Sequence, residues 1–150
     1  MTTKIKHPQI NVCFNLESSI TKQCQLTNSN QVYDYCLKIW DHGTISLYEE
    51  VKAIYLNRDN RVIGYRNIAL GTTYQAVVNV KLLVYIALEC NACGIVVAHN
   101  HPSGNVKPSK PDHNLTEQIK EALKFFNLNL LDHLIITKEN YFSFADDGIL

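Results

Sequence analysis

The chain has no excess of charge of either sign: its 150 residues carry 14 Lys plus Arg against 14 Asp plus Glu. That balance creates no long-range field favouring nucleic acid or an anionic membrane, so a partner must be recognised by local features. Long apolar runs are missing too. Residues 1–10 are polar and interrupted by Pro8, without the apolar centre of a secretory signal, and no later stretch approaches the roughly 20 apolar residues that cross a bilayer. The expectation is a cytoplasmic protein with no membrane partner. Cysteine falls short of a disulfide framework: there are five, an odd number without a secretory signal, so reduced thiols are expected. Internal repeats and low-complexity linkers are absent. What the chain does have is 46% hydrophobic residues over about one domain's length, enough for a single packed core.

Residues 1–28 hold a short alternating segment, Ile10 to Leu16, then the polar stretch Glu17 to Asn28, and no chemistry-bearing motif. They read as an N-terminal extension to a domain spanning 29–150. Ser29 is the expected cap of a helix on which Val32, Tyr33, Cys36, Leu37 and Trp40 share one face. Glu50 to Asn57 and Arg61 to Ile68 are rich in β-formers around the turn signal Arg58-Asp59-Asn60, which predicts a hairpin. Asn79 caps a second helix, with Val80, Leu83, Val84, Ala87 and Leu88 at helical period, and Gly94 to Ala98 is a short apolar run suited to a buried strand. Beyond the loop 99–110, Leu115, Ile119, Ala122, Leu123 and Phe126 mark a third helix. Leu130 to Thr137 and Tyr141 to Phe144, joined by Lys138-Glu139-Asn140, predict a closing hairpin. After the first helix the order is ββαβαββ, a single α/β domain with a mixed sheet layered by helices.

His99 and His101 follow the predicted buried strand with one residue between them. Alternate residues of extended backbone share a face, so both imidazoles point into one space. Asp112 lies eleven residues after His101, in the first turn of the third helix, where free N–H groups and the helix dipole favour an ionised carboxylate. Two nitrogens and one oxygen make three ligands, and three protein ligands with an open fourth position mark catalytic rather than structural zinc. Such a site makes hydroxide available near neutral pH, and a base must then carry the proton, for which a Glu is natural. Each piece alone has a plainer explanation. Paired histidines occur on surfaces and in cores, and Ser109 to Asp112 is a capping-box pattern with Pro in the first turn.

The joint pattern is more specific. The string HNHPSGNVKPSKPD, residues 99–112, resembles the metal motif of the JAB/MPN (JAMM) metalloproteases: a distant Glu, then HxHP, then Ser and Asp, with ten residues between the second His and the Asp. More narrowly, HNHPSG, the later LLDHLII and the closing YFSFAD resemble RadC-like proteins, named historically for DNA repair, over roughly Tyr48 to Gly148. The resemblance implies a JAB/MPN α/β fold, Zn2+ bound by His99, His101 and Asp112, a Ser at 109 that assists the tetrahedral intermediate, and an upstream catalytic Glu. Cleavage of a peptide or isopeptide bond in a protein or peptide substrate follows by analogy with the superfamily. Glu49 and Glu50 compete for the Glu role, and strand alternation sends them to opposite faces, so only one can serve. The RadC-like pattern places its Glu eight positions before the residue that opens the hairpin turn, here Asn57, which selects Glu49. In the implied mechanism Glu49 takes a proton from zinc-activated water and returns it to the leaving amine. Ser109 donates to the oxyanion, caps the helix, or does both.

Other features carry less. Cys90-Asn91-Ala92-Cys93 is a CxxC at a predicted helix C-terminus, where the dipole raises a thiol pKa, and Cys13, Cys24 and Cys36 supply no second pair. Zinc deaminases need H-x-E before P-C-x-x-C, whereas here the cysteines precede His99. The HNH nucleases disperse those three letters over a ββα unit. Asp132 and His133 read as strand residues satisfied within the core rather than as support for the ligands. His7, His42 and His113 read as solvent-facing, and Lys107 and Lys110 as solubilising charges. A second function class, a DNA-associated accessory module, rests on the repair label alone; the neutral charge and the lack of a helix-hairpin-helix segment rank it below the hydrolase. A metal-binding scaffold without activity ranks lower again, because the ligand set is intact.

Overall fold

The computed structural model describes residues 24–71 and 77–150; the alternating segment Ile10 to Leu16, with Cys13 and His7, lies outside the described residues. The elements are α1 (Ser29–Ile39), β1 (Glu50–Leu56), β2 (Val62–Leu70), α2 (Val80–Glu89), β3 (Gly94–Asn100), α3 (Lys110–Lys124), β4 (Asn129–Ile136) and β5 (Tyr141–Ser143). The strands form one mixed sheet in the order β2-β1-β3-β4-β5. Neighbours are antiparallel except β3 and β4, which run parallel because α3 carries the chain back from the end of β3 to the start of β4. This is the expected α/β fold, a mixed sheet flanked by helices.

Both faces of the sheet are covered, and the two-residue period of a strand divides the side chains between them. Val51, Ala53, Tyr55, Ile95 and Val97 pack against Leu83 and Ala87 of α2 and Ile119 and Leu123 of α3. Ile54, Leu56, Val96, Ala98, Leu134 and Ile136 pack against Val32 and Cys36 of α1 and against Trp40. Coverage on both sides is why β3 reads as an unbroken apolar run. The alternation continues beyond that run: β3 extends two residues further than Gly94 to Ala98, so that His99 faces α3 and Asn100 faces Trp40.

Several boundaries differ from the sequence expectation. Asn28, not Ser29, caps α1: its backbone is extended and its side chain accepts the Gln31 N–H, while the Ser29 hydroxyl bonds Asp146 at the far end of the chain. Residues 24–26, assigned to the extension by sequence, join the packed unit. Gln25 pairs with Arg61, Val62 N–H donates to the Cys24 carbonyl at 3.0 Å, and Leu26 is buried under α1. The last helix stops at Lys124, leaving Phe126 half exposed beyond it rather than on its apolar face. The four described cysteines are free, and burial pushes the Cys90 thiol up at the α2 C-cap. Among the described residues no helix is long and apolar enough to cross a membrane.

Candidate metal centre

The end of β3 and the start of α3 bring the three sequence-predicted ligands together. His101 lies one residue past β3, but its N–H still donates to the Ile136 carbonyl at 3.1 Å, which keeps the backbone extended and both rings on one side. His99 Nε2 and His101 Nε2 are 3.0 Å apart. Asp112 Oδ1 is 3.2 Å from His99 Nε2, and Oδ2 is 3.7 Å from His101 Nε2. All three donor atoms fall within 4.8 Å of one another.

Local chemistry aims two of these groups. Asp112 occupies the third position of α3 in a capping box: Ser109 N–H donates to Oδ2 at 2.7 Å, the Ser109 hydroxyl donates to the same oxygen at 2.6 Å, and Asp112 N–H returns a bond to Ser109 Oγ at 3.3 Å. Oδ1 is left to face His99. Burial pushes the Asp112 carboxyl up, but the bond and charge that His99 supplies when its Nε2 is protonated, with the bonds from Ser109, outweigh it and hold the group well below the usual carboxylate range. His101 Nδ1 is 2.6 Å from the Asn105 carbonyl, an atom that only accepts, so Nδ1 carries a proton and Nε2 is the nitrogen left to coordinate. The turn that brings this carbonyl round closes through Gly104 N–H to the His101 carbonyl and needs φ of 81° at Gly104, a conformation glycine adopts without strain. Two imidazole nitrogens and a carboxylate held ionised form a donor set that fits zinc.

Glu49 lies just before β1 and lines a cavity of about 520 Å³ with Val51, Val78, His99, Asp112 and Leu115. Burial raises its carboxyl, opposed by the histidine charges. Glu50 turns to the opposite face, where Oε2 accepts from Lys52 Nζ at 2.6 Å in a pair with side chains only 4% and 8% exposed. Lys52 in turn sits over the Trp40 ring at 4.6 Å and reaches Asn67 at 2.8 Å. The adjacent carboxylates therefore have separate surroundings: one borders the ligands, the other is committed to a buried ion pair.

The sequence model of the RadC-like JAB domain matches residues 26–149. The chain belongs to this family. Relatives called UPF0758 protein are 40% identical over 68% of the chain in Flavobacterium johnsoniae, 36% over 84% in Thermotoga maritima and 38% over 83% in Aquifex aeolicus. The matched regions are 44%, 55% and 52% of those relatives, so the chain spans about half the length of the curated relatives it matches.

Three residues to which sequence reasoning gave no part in the site complete the surroundings of the RadC-like site: Asn100 and Thr116, which it did not single out, and His133, which it weighed and assigned to the core. Asn100, between the two histidines, uses its whole amide: Nδ2 donates to the Ile45 and Tyr48 carbonyls at 2.7 and 2.8 Å, and Oδ1 accepts from Glu50 N–H at 2.7 Å and Trp40 Nε1 at 3.3 Å. It thereby grips the backbone on both sides of Glu49. His133, read by sequence as a core residue, is fully buried but sits 2.9 Å from His99, Nε2 to Nδ1, and Thr116 Oγ1 lies 2.7 Å from its other nitrogen. Burial drives its pKa well below the ordinary value, so the ring is neutral. Asp132 keeps the core role expected of it, on the other face, accepting from the Ser143 hydroxyl and from the His133 and Ala145 N–H groups. Strand alternation is the signal that separates this pair. His42, His113, Lys107 and Lys110 are exposed, as expected.

Proposed function

We propose that this RadC-like JAB domain is a zinc-dependent hydrolase that cleaves a peptide or isopeptide bond in a cytoplasmic protein or peptide substrate. The observation that carries the reading is the convergence of His99, His101 and Asp112 donor atoms within 4.8 Å. Zinc held by these three residues would supply a Lewis acid and lower the pKa of water at its open position. Asp112, held well below the usual carboxylate range and bonded by the Ser109 N–H and hydroxyl, stays ionised across neutral pH. Glu49, whose carboxyl is raised by burial, acts as the proton carrier: it accepts from the attacking water and delivers to the leaving amine, and a raised pKa favours that second transfer. Ser109 already gives its hydroxyl proton to Asp112, so its first task is to aim the ligand; donation to an oxyanion follows when the hydroxyl turns away.

Elemental mass spectrometry of wild type and His101→Ala, purified identically, tests the metal. About one zinc per chain in the wild type and almost none in the variant is the expected result. No zinc in either after reconstitution overturns the reading and moves the DNA-associated alternative ahead of it. With zinc established, peptide and isopeptide libraries give a turnover assay in which Glu49→Gln keeps its zinc and loses at least about 100-fold in rate.

A further inference from the structure

Two candidate ligands, Asp112 and His99, are joined through Thr116 and His133 by a chain of contacts whose direction is fixed by one atom that can only accept. Thr116 lies one turn after Asp112 on α3, and its Oγ1 is 2.7 Å from the Asp112 carbonyl oxygen. A carbonyl has no proton to give, so the Thr116 hydroxyl spends its single proton there. The same hydroxyl oxygen is 2.7 Å from His133 Nδ1 and must accept in that contact, which puts the His133 proton on Nδ1. His133 Nε2 is then bare, and His99 Nδ1, 2.9 Å away, is the donor to it. In the neutral ring that leaves His99 Nε2 as a lone pair, 3.0 Å from His101 Nε2 and 3.2 Å from Asp112 Oδ1, so that three donor atoms converge. Thr116, His133 and His99 are each at most 1% exposed, so water does not offer these groups other partners. Phe144 stacks on His133 at 4.8 Å and 12°, which holds the plane of the relaying ring.

We propose that Thr116 and His133 are positioning residues that lock His99 in the Nδ1–H tautomer, presenting Nε2 as a ligand before any metal arrives. The purpose of this relay rests on the metal-site reading; its hydrogen-bond geometry does not. Ligand histidines commonly donate their second N–H to a carboxylate or carbonyl, acceptors that cannot reverse. His133 can reverse, because a neutral imidazole accepts at either nitrogen, and Thr116 is what prevents it. Without that hydroxyl the His133 proton is free to settle on Nε2, the contact with His99 turns round, and the His99 proton moves to the nitrogen that faces Asp112. The relay begins at the backbone of Asp112 itself, so it ties the orientation of one ligand to the helical turn that carries another.

Long-range proton–nitrogen correlation spectra of the labelled, metal-free protein read the tautomers directly. Nδ1–H on both His133 and His99 is expected; Nε2–H on His133 overturns the proposal. Chelator competition then compares zinc affinity in wild type, Thr116→Val and Thr116→Ser, with melting curves to establish folding. Thr116→Val, close to isosteric, should bind about 10- to 100-fold more weakly, whereas Thr116→Ser, which restores the hydroxyl, should stay near wild type. A folded Thr116→Val with wild-type affinity overturns the relay. If Thr116→Val does not fold, the wild-type spectrum decides. Failure of the wild type to bind zinc refutes the metal-site reading by itself, and the tautomer spectra still decide the relay.

Discussion

Glu49 and Glu50 are neighbours in sequence and opposites in surroundings, which makes them a test of how single residues divide between chemistry and stability. Removing the Glu50 carboxylate leaves the Lys52 ammonium buried without its ion-pair partner, a change that costs about 3 kcal/mol. Glu50→Ala should therefore lower the melting temperature markedly, whereas Glu49→Gln should melt close to wild type while losing turnover; the reverse pattern would exchange the two roles. Asp132 supplies a second test, in pH dependence. Burial pushes its carboxyl up against the opposing bonds from Ser143, Ala145 and His133. Its folded pKa thus lies above the unfolded value of about 3.9. Its contribution is fully present below that value and is lost as pH rises through the folded value. An Asn at 132 keeps an acceptor for both N–H groups and stays neutral, so Asp132→Asn should gain stability relative to wild type between pH 4 and pH 7. Thermal melts at the two pH values check the sign, and a relative loss at pH 7 would contradict it.

Elements are where the sequence was most legible, and the exceptions have identifiable causes. The hairpin of β1 and β2, the apolar β3, and α2 and α3 carry periodicities strong enough to be read from residues alone, and the capping box of Ser109 and Asp112 is present as its pattern indicates. The misses lie at ends, where one side chain decides. Asn28 and Ser29 are both good cap residues, and the choice turned on Ser29 being engaged by Asp146, more than a hundred residues away in sequence. β3 continues into polar residues because His99 and Asn100 find buried partners, information absent from an apolar-run criterion. The α3 N-terminus also joins stability to metal binding. Ser109→Ala removes the cap and a donor to Asp112 Oδ2, so it should cost about 1 kcal/mol of stability. It should also weaken zinc binding by about tenfold, since the ligand is no longer aimed. Melting and chelator competition on one preparation separate the two effects; unchanged zinc affinity would restrict Ser109 to capping or to the later catalytic step.

At the scale of the whole molecule, the ligands were readable because they occupy a single stretch of 14 residues, from His99 to Asp112, whereas their supports come from elements joined only by the fold. Asn100 reaches the segment before β1, His133 comes from β4 and Thr116 from α3, and no local pattern links them to the histidines. The same arrangement makes metal binding a global property. His99 lies at the end of the central strand and His101 just past it, Asp112 opens the helix that crosses from β3 to β4, and an ion held among them would tether the sheet to α3 in the native state while finding no preformed site in the unfolded chain. Binding to the native state alone adds about 2.7 kcal/mol at a free concentration 100 times the dissociation constant. For a domain of this length each 1 kcal/mol moves the melting temperature by about 2–4 °C, so saturating zinc should raise it by about 5–10 °C. Scanning fluorimetry against a zinc titration should show that rise in the wild type, its reversal by chelator, and no rise in His101→Ala. A wild-type curve that stays in place at saturating zinc, or a variant that rises equally, would mean that this cluster does not hold the ion.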